Sequence, residues 1–368
     1  MQKLENIDIE DYQLRLKGLL SGASSEAEKH AFVSHLSSAE ALNDQVLQAV
    51  IAAVRLTMPA DCATFAGLFK AKEKLIDCCG TGGSGLSHFN TSTTVAFILA
   101  AAGLQVAKFG NRAASSQSGS FDLLHKLGIG DALSLPALAA LLDETNLAFL
   151  FAPQFYPGLA ALAPYRKAVG AKTIFNYIGP LLNPAAPPYR LIGVPNHPAQ
   201  AAVAAHLVRE ALVEQAFVVT ADSGLDELDV DSACTLLRVR KPTATETKNA
   251  NATTSATTTI SHSLEKIRID GHPAGQTGEI GLKGKVGRLL SAEDNAEIFH
   301  ALMQGQLDGQ NYYHALVCLN AGAALQAADS VASLEKGYEI AARLLEDGAA
   351  LAKYNQYRQK FQKYLERS

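Results

Sequence analysis

The chain has 368 residues, 48% of them hydrophobic and 18% charged, which suits a globular protein of more than one domain and excludes a mostly disordered one. Lys and Arg total 32 against 36 Asp and Glu, so no global basic field marks nucleic acid or an anionic membrane as the partner. No apolar run approaches the roughly 18 residues that a membrane span needs, and the opening MQKLENIDIEDYQ is acidic and mixed rather than basic then apolar, so no secretory signal is expected.

Residues 1–70 read as a small all-helical domain. Leu14, Leu16, Leu19 and Leu20 fall on one side of a short helix that stops at Ser21-Gly22. Ser24-Ser25 form a plausible cap for the next helix, in which Ala31, Phe32, His35 and Leu36 continue the period. Leu47, Val50, Ile51, Val54 and Leu56 make a further stripe, ended by Pro59. From about residue 71 the character changes, and residues 71–368 read as a large α/β domain. Leu75-Ile76, Val106-Ala107, Ala148 to Phe151, Tyr189 to Val194 and Ala216 to Thr220 are short β-like runs. Helical runs separate them, which predicts a central, largely parallel sheet flanked by helices. Pro242 to Ser263, PTATETKNANATTSATTTISHS, has no apolar face to bury and reads as an exposed insertion. Ala292 to Gln304, Tyr312 to Ala328 and Leu334 to Leu345 read as closing helices, and Phe and Tyr at helical spacing over 354–364 as packing residues of a terminal one.

The chemistry concentrates in the first βα connections. Residues 77–94, DCCGTGGSGLSHFNTSTT, follow a strand and precede a helix. Gly80, Gly82 and Gly85 satisfy G-x-G-x-x-G, yet the helix does not open at the third glycine. The next strand ends on Lys108 where a dinucleotide site wants an acid for the ribose. What survives is the physics of an anion site: glycines admit a phosphate close to backbone N–H groups, and Asn90, Thr91, Ser92 and Thr93 set polar donors at a helix start. A glycine turn with an ordinary cap is the plainer reading, but four polar residues in a row exceed what a cap requires. Residues 107–124, AKFGNRAASSQSGSFDLL, repeat the arrangement with Lys108, Asn111, Arg112, Ser115, Ser116 and Ser118. Two such loops after successive strands suit one ligand with two phosphate groups, or a phosphorylated sugar carrying a diphosphate. The five cysteines, at 62, 78, 79, 234 and 318, are odd in number and show no CxxC spacing, so free thiols in a reducing cytoplasm are expected.

With these motifs laid out, the chain resembles the anthranilate phosphoribosyltransferases, class III phosphoribosyltransferases related in architecture to the pyrimidine nucleoside phosphorylases. The matching segments are GTGGSG at 80–85, NTST at 90–93, KFGNR at 108–112, SSQSGSFDLL at 115–124, FLFAPQFYP at 149–157, APYRKAVGAKTIFNYIGPLLNPA at 163–185, GLDE at 224–227, LNAGAALQAA at 319–328 and GAALAK at 348–353. The resemblance implies Mg²⁺-dependent transfer of phosphoribosyl from phosphoribosyl pyrophosphate to the amine of anthranilate, with release of pyrophosphate, in tryptophan biosynthesis. It also implies a homodimer through the helical domain, on which a segment at about 157–182 packs. Carried over by position, Gly80, Gly82, Gly83, Asn90, Ser92, Thr93, Lys108, Ser116 and Ser120 would hold phosphoribosyl pyrophosphate. Gly80, Asn111 and Arg166 would contact anthranilate, with Arg166 facing its carboxylate, and Ser92, Asp226 and Glu227 would serve the metal. No enzyme nucleophile is implied, only positioning and electrostatics.

The chain departs from the family pattern at several points. Ser84 stands where GTGGDG has an acid, Phe109 replaces the His of KHGNR, Tyr156 replaces the His common before Pro157, and Thr220-Ala221 replace a His-Gly. Gln117 stands for a Lys at a position expected to point outward. These changes leave open a paralogous enzyme with another aromatic amine acceptor, and a non-enzymatic descendant that binds nucleic acid. The low overall charge and the retained GTGG, NTST and DE residues argue against the latter.

Overall fold

A computed structural model of the chain describes residues 9–20, 24–37, 44–69, 74–82, 89–113, 117–130, 133–170, 173–242, 263–269 and 290–367. The expected helices at the N-terminus are α1 (Ile9–Leu20), α2 (Glu26–His35), α3 (Asp44–Arg55) and α4 (Ala60–Phe69). Ser25 caps α2, its Oγ accepting from Glu28 N while Glu28 reaches back to Ser25 N. Leu16, Leu19 and Leu20 are buried as the period requires, but Leu14 is 70% exposed and Leu56 64%. Leu14 lies off the stripe set by Leu16 and Leu20, and Leu56 follows the last turn of α3, so neither meets the core.

Beyond residue 74, β1 (Leu75–Gly80), α5 (Thr91–Ala101), β2 (Gln105–Gly110), α6 (Ser120–Lys126), α7 (Leu135–Thr145) and β3 (Leu147–Phe151) follow in turn. The chain then runs through α8 (Ala152–Phe155), a 3₁₀ segment Pro157–Leu162, α9 (Ala163–Val169) and 3₁₀ turns at Ile174–Asn176 and Gly179–Leu181. It re-enters the sheet at β4 (Tyr189–Gly193), continues through α10 (His197–Arg209) and β5 (Gln215–Ala221), and adds β6 (Cys234–Arg240) and β7 (Ser263–Ile269). Helices α11 (Ala292–Met303), α12 (Tyr312–Ala327), α13 (Leu334–Glu346) and α14 (Ala349–Leu365) close the described chain.

The seven strands lie in the order β3-β2-β1-β4-β5-β6-β7. The first five are parallel, and β6 and β7 add antiparallel to that edge. The β6–β7 pair was not legible in advance, and Ser263, expected to end the insertion, instead starts β7 opposite Arg240. The rest of the insertion, 243–262, lies outside the described residues. Adjacent residues of β1 point to opposite faces. Cys78 donates to the carbonyl of Ser92 on α5, whereas Asp77 pairs in register with Arg190, which reaches Glu210 just after α10. Helices α5, α12 and α14 pack together against the former face, and α10 joins β5, β6 and α3 on the latter. The segment after Tyr156 packs on the helical region: Ile174 N donates to Leu36 O at 3.0 Å, and Tyr165 meets Glu26. Tyr354, Tyr357 and Phe361 of α14 are buried as expected.

Candidate active site

Strand order reverses between β1 and β4, and a crevice outside the carboxyl ends of the strands at such a switch point is where parallel α/β sheets take ligands. Here β1 ends at Gly80 and β4 at Gly193, and both line a cavity of about 510 Å³. The two glycines are there for closeness. A Cβ on Gly193 would fall 1.7 Å from the backbone oxygen of Asp226, and one on Gly80 would fall 2.7 Å from Asp226 Oδ2. The Asp226-Glu227 loop that follows β5 is thereby pressed against the ends of β1 and β4.

Asp226 is 2% exposed and organises the glycine turn. Its Oδ2 accepts from Gly82 N at 2.6 Å and from Thr81 Oγ1 at 3.1 Å. Glu227, 8% exposed, lines the cavity beside it, so the pair is not solvated surface charge. The neighbouring Leu228 is clamped by Asn320 of α12, whose Oδ1 accepts from Leu228 N at 3.0 Å and whose Nδ2 donates to Leu228 O at 2.8 Å. Asn320 itself lines the cavity. The sequence alone assigns it no role, although an Asn inside an otherwise apolar helical run is itself a signal, because a buried amide needs partners.

The two polar loops complete the lining. Gly80, Gly82, Asn90, Ser92, Lys108, Asn111 and Ser120 all line the cavity. Gly83 and Ser116, together with Ser84, lie outside the described residues. Thr93 departs from expectation: its side chain faces the core at 0% exposure, and its Oγ1 has no hydrogen-bond partner among the described residues. The amides of Thr93 and Thr94 donate to Asn90 O and that of Thr91 to Phe89 O, so these three helix-start N–H groups are already bonded. Ser92 takes the cavity side of the same turn, because successive residues of a helix point about 100° apart. Asn90 is fixed from two directions, its N–H donating to Asn295 Oδ1 at 2.8 Å and its amide nitrogen to Ser118 Oγ at 2.9 Å. The second loop is drawn onto α6 by Asp122, whose Oδ2 accepts from Ala113 N and Gly119 N, each at 2.8 Å.

Lys108 is 1% exposed yet lines the cavity. Its charge bears on Asp77 of β1, also 1% exposed. Burial pushes the Asp77 carboxyl above its ordinary value, opposed by Lys108, by Asn183 Nδ2 at 2.7 Å and by Phe109 N at 3.3 Å.

The far wall is aromatic. The Arg166 guanidinium of α9 lies 5.7 Å from the ring centre of Phe175, and burial pulls its pKa below the ordinary value. Among the described residues it makes no ion pair, so an incoming carboxylate would offset that cost. Phe109 and Tyr156, the two positions that depart from the family's histidines, touch each other: their rings meet edge to face, centroids 6.1 Å apart at 88°, and both line the cavity. Burial raises the Tyr156 phenol well above its usual range, so it stays a neutral hydroxyl. Gln117 is exposed, as anticipated, and Thr220-Ala221 lie within β5, off the wall.

The donor set fits Mg²⁺ held in part by substrate. Among the described residues no cluster of three or more His, Cys, Asp or Glu side chains forms a closed metal cage. Two adjacent buried carboxylates, with Ser92 lining the same cavity, match a cation that keeps waters and takes phosphate oxygens.

A switch-point crevice carrying a glycine turn, a buried lysine, two carboxylates and an aromatic wall suits a ligand that is anionic at one part and flat and apolar at another. Comparison with known proteins agrees. The profile of the glycosyl transferase family a/b domain matches residues 72–275. An anthranilate phosphoribosyltransferase from Thermomicrobium roseum is 33% identical over 345 residues, 94% of this chain and 90% of that protein. One from Synechococcus elongatus is 37% identical over 287 residues, 77% of this chain and 74% of that protein. The crystal structure of anthranilate phosphoribosyltransferase from Thermus thermophilus superimposes with a TM-score of 0.77 at 27% identity, over 97% of each chain. The Saccharomyces cerevisiae enzyme in complex with PRPP and Mg shares the fold, with a TM-score of 0.74 at 21% identity, over 97% of this chain and 93% of that one. The chain belongs to the anthranilate phosphoribosyltransferase family, and it is a pentosyltransferase.

Proposed function

We propose that this enzyme transfers the phosphoribosyl group of phosphoribosyl pyrophosphate to the amine of anthranilate and releases pyrophosphate, a step of tryptophan biosynthesis. The observation that carries this reading is one cavity lined both by Lys108 and the glycine turn and by Arg166 and Phe175. One end suits a diphosphate and the other a flat aromatic carboxylate.

In this reading Gly80, Gly82, Asn90, Ser92, Lys108 and Ser120, with Gly83 and Ser116, hold the phosphorylated sugar, while Gly80, Asn111 and Arg166 orient anthranilate. Asp226, Glu227 and Ser92 would hold Mg²⁺, which supplies charge neutralisation for the departing diphosphate when bound. Asp226 also stiffens the glycine turn beside that diphosphate, through its bonds to Gly82 N and Thr81 Oγ1. Carbon–oxygen cleavage leaves positive charge on the sugar, and the amine attacks from the opposite face. The protein's part is alignment and preorganised charge rather than a nucleophile. Phe109, Tyr156 and Phe175 would offer apolar surface to the acceptor ring.

The same reading divides the chain into a helical domain at 1–70 and an α/β domain at 71–368, and pairs two copies through the helical domain. Exposed Leu14, Leu56 and Leu68 on α1, after α3 and on α4 support that pairing. Five buried, unpaired cysteines suit a cytoplasmic location.

The test is loss of anthranilate fluorescence on addition of phosphoribosyl pyrophosphate and Mg²⁺, with a metal-free control. Metal-dependent turnover is expected. Saturable binding of phosphoribosyl pyrophosphate without turnover would transfer the proposal to another aromatic amine, the reading that the Phe109–Tyr156 pair favours. Absence of both would defeat it.

A further inference from the structure

Beside the cavity, on the α10 face of the sheet, lies a buried charge cluster outside the residues assigned above. Glu210 is its hub: Oε2 accepts from Arg190 Nη2 at 3.2 Å, and Oε1 accepts from Arg55 Nη1 at 2.7 Å and faces His206 Nε2 at 3.1 Å. Arg190 is 1% exposed and pinned by a second bond, from Nε to Pro187 O at 3.0 Å. That leaves Arg55, at the end of α3, with one guanidinium nitrogen on a fixed anion and another to spend. Nη2 donates to the carbonyl of Leu181 at 2.8 Å.

Leu181 closes the 3₁₀ turn Gly179–Leu181, and Gly179, Pro180 and Leu182 all line the cavity next to Phe175. Inside the turn Leu181 N donates to Ile178 O and Leu182 N to Gly179 O, and the terminal carbonyl of so short a turn needs a partner from outside. We propose that Arg55 is a positioning residue for the acceptor: its forked guanidinium ties the Leu181 carbonyl to Glu210 and so sets the cavity wall against which the acceptor ring lies. This rests on the reading that the wall near Arg166 and Phe175 receives the acceptor. A purely stabilising arginine would need only the Glu210 contact, and a lysine would then replace it. A wall-setting arginine needs both arms of the fork at once, which lysine lacks.

The experiment compares the full chain with Arg55→Lys and Arg55→Gln, varying each substrate in turn, with calorimetric binding of pyrophosphate plus Mg²⁺ and hydrogen exchange as further readouts. Both variants are expected to raise the acceptor KM about tenfold while kcat and the KM for phosphoribosyl pyrophosphate stay within about twofold. Pyrophosphate binding is unchanged, and the amides of Leu181 and Leu182 exchange about tenfold faster while those of β4 do not. Arg55→Lys, which keeps the charge beside Glu210, retains the melting temperature even if Arg55→Gln loses it. A wild-type acceptor KM in Arg55→Lys overturns the proposal, as does a joint rise in both KM values or unchanged exchange at Leu181 and Leu182. Should the unaltered chain not use anthranilate, the function reading fails separately, and the exchange pattern decides the role of Arg55.

Discussion

At the scale of single residues, two of the basic side chains that line the cavity lie in different settings: Lys108 is buried, and Arg166 is half-buried over Phe175. Arg166→Ala is expected to raise the KM for a carboxylate-bearing acceptor about ten- to a hundred-fold with little change in kcat, the loss of one charge-assisted pair of ~1.5–3 kcal/mol. An unchanged acceptor KM by steady-state kinetics would remove Arg166 from carboxylate recognition. Glu210 supplies a prediction in pH. Burial alone would push its carboxyl up, but His206, Arg190 and Arg55 together hold it far below its ordinary 4.5. A carboxyl depressed on folding contributes stability above its unfolded value, lost as pH falls through the folded one. Glu210→Gln should therefore cost on the order of 3 kcal/mol at neutral pH, because Arg190 is left buried beside a neutral amide. In urea melts that deficit should shrink as pH drops below about 4.5.

At the scale of elements, the helix that clamps the Asp226-Glu227 loop is itself seated by a close crossing. Gly322 of α12 meets Gly337 of α13 so tightly that a Cβ on Gly322 would lie 2.7 Å from Tyr338 N and 2.9 Å from Leu334 O. Both contacts are backbone, so neither yields by a rotamer change. Gly322→Ala should force the two helices apart, costing about 1–3 kcal/mol and lowering the melting temperature. Asn320, two positions earlier, moves with the helix, so Mg²⁺-dependent turnover should fall by more than phosphoribosyl pyrophosphate binding; equal losses would argue against a clamp. Elements were the most legible level in the sequence, since strand runs and helix periods are written within a few neighbours. Leu75-Ile76 and Tyr189 to Val194 became β1 and β4, and Ser25 became the cap of α2. The β6–β7 hairpin was not legible because a long polar stretch separates Cys234–Arg240 from Ser263–Ile269, and because Arg238, Arg240, Lys266 and Arg268 mask the apolar alternation.

For the molecule as a whole, that hairpin suggests how the Thr-rich segment relates to function. Arg240 and Ser263 are paired neighbours on adjacent antiparallel strands, and the edge they form lies four strands from β1. Replacing 243–262 by a short Asn-Gly turn should leave turnover within about twofold and the melting temperature unchanged or higher, since a shorter loop has less closure entropy to lose. A large loss of turnover at unchanged stability would tie the segment to the active site.

The local grammar of the chain was enough to announce a glycine turn before a helix, a second polar loop after the next strand and an acidic pair after a later one. Each such signal is a property of residues within about one turn or strand of one another. It was not enough to tell Thr93 from Ser92, because which side of a helix start faces the cavity depends on where the neighbouring elements pack. Nor did it reveal that Asp226 holds Gly82 from 144 positions away, that Phe109 and Tyr156 touch, or that Arg55 reaches Leu181 across 126 positions. The first exists because the sheet order reverses at β1 and β4, the second because β2 and β3 are neighbours in the sheet, and the third because α3 packs beside the segment that leads into β4. The parts of the site were written locally, and their convergence was decided by tertiary packing.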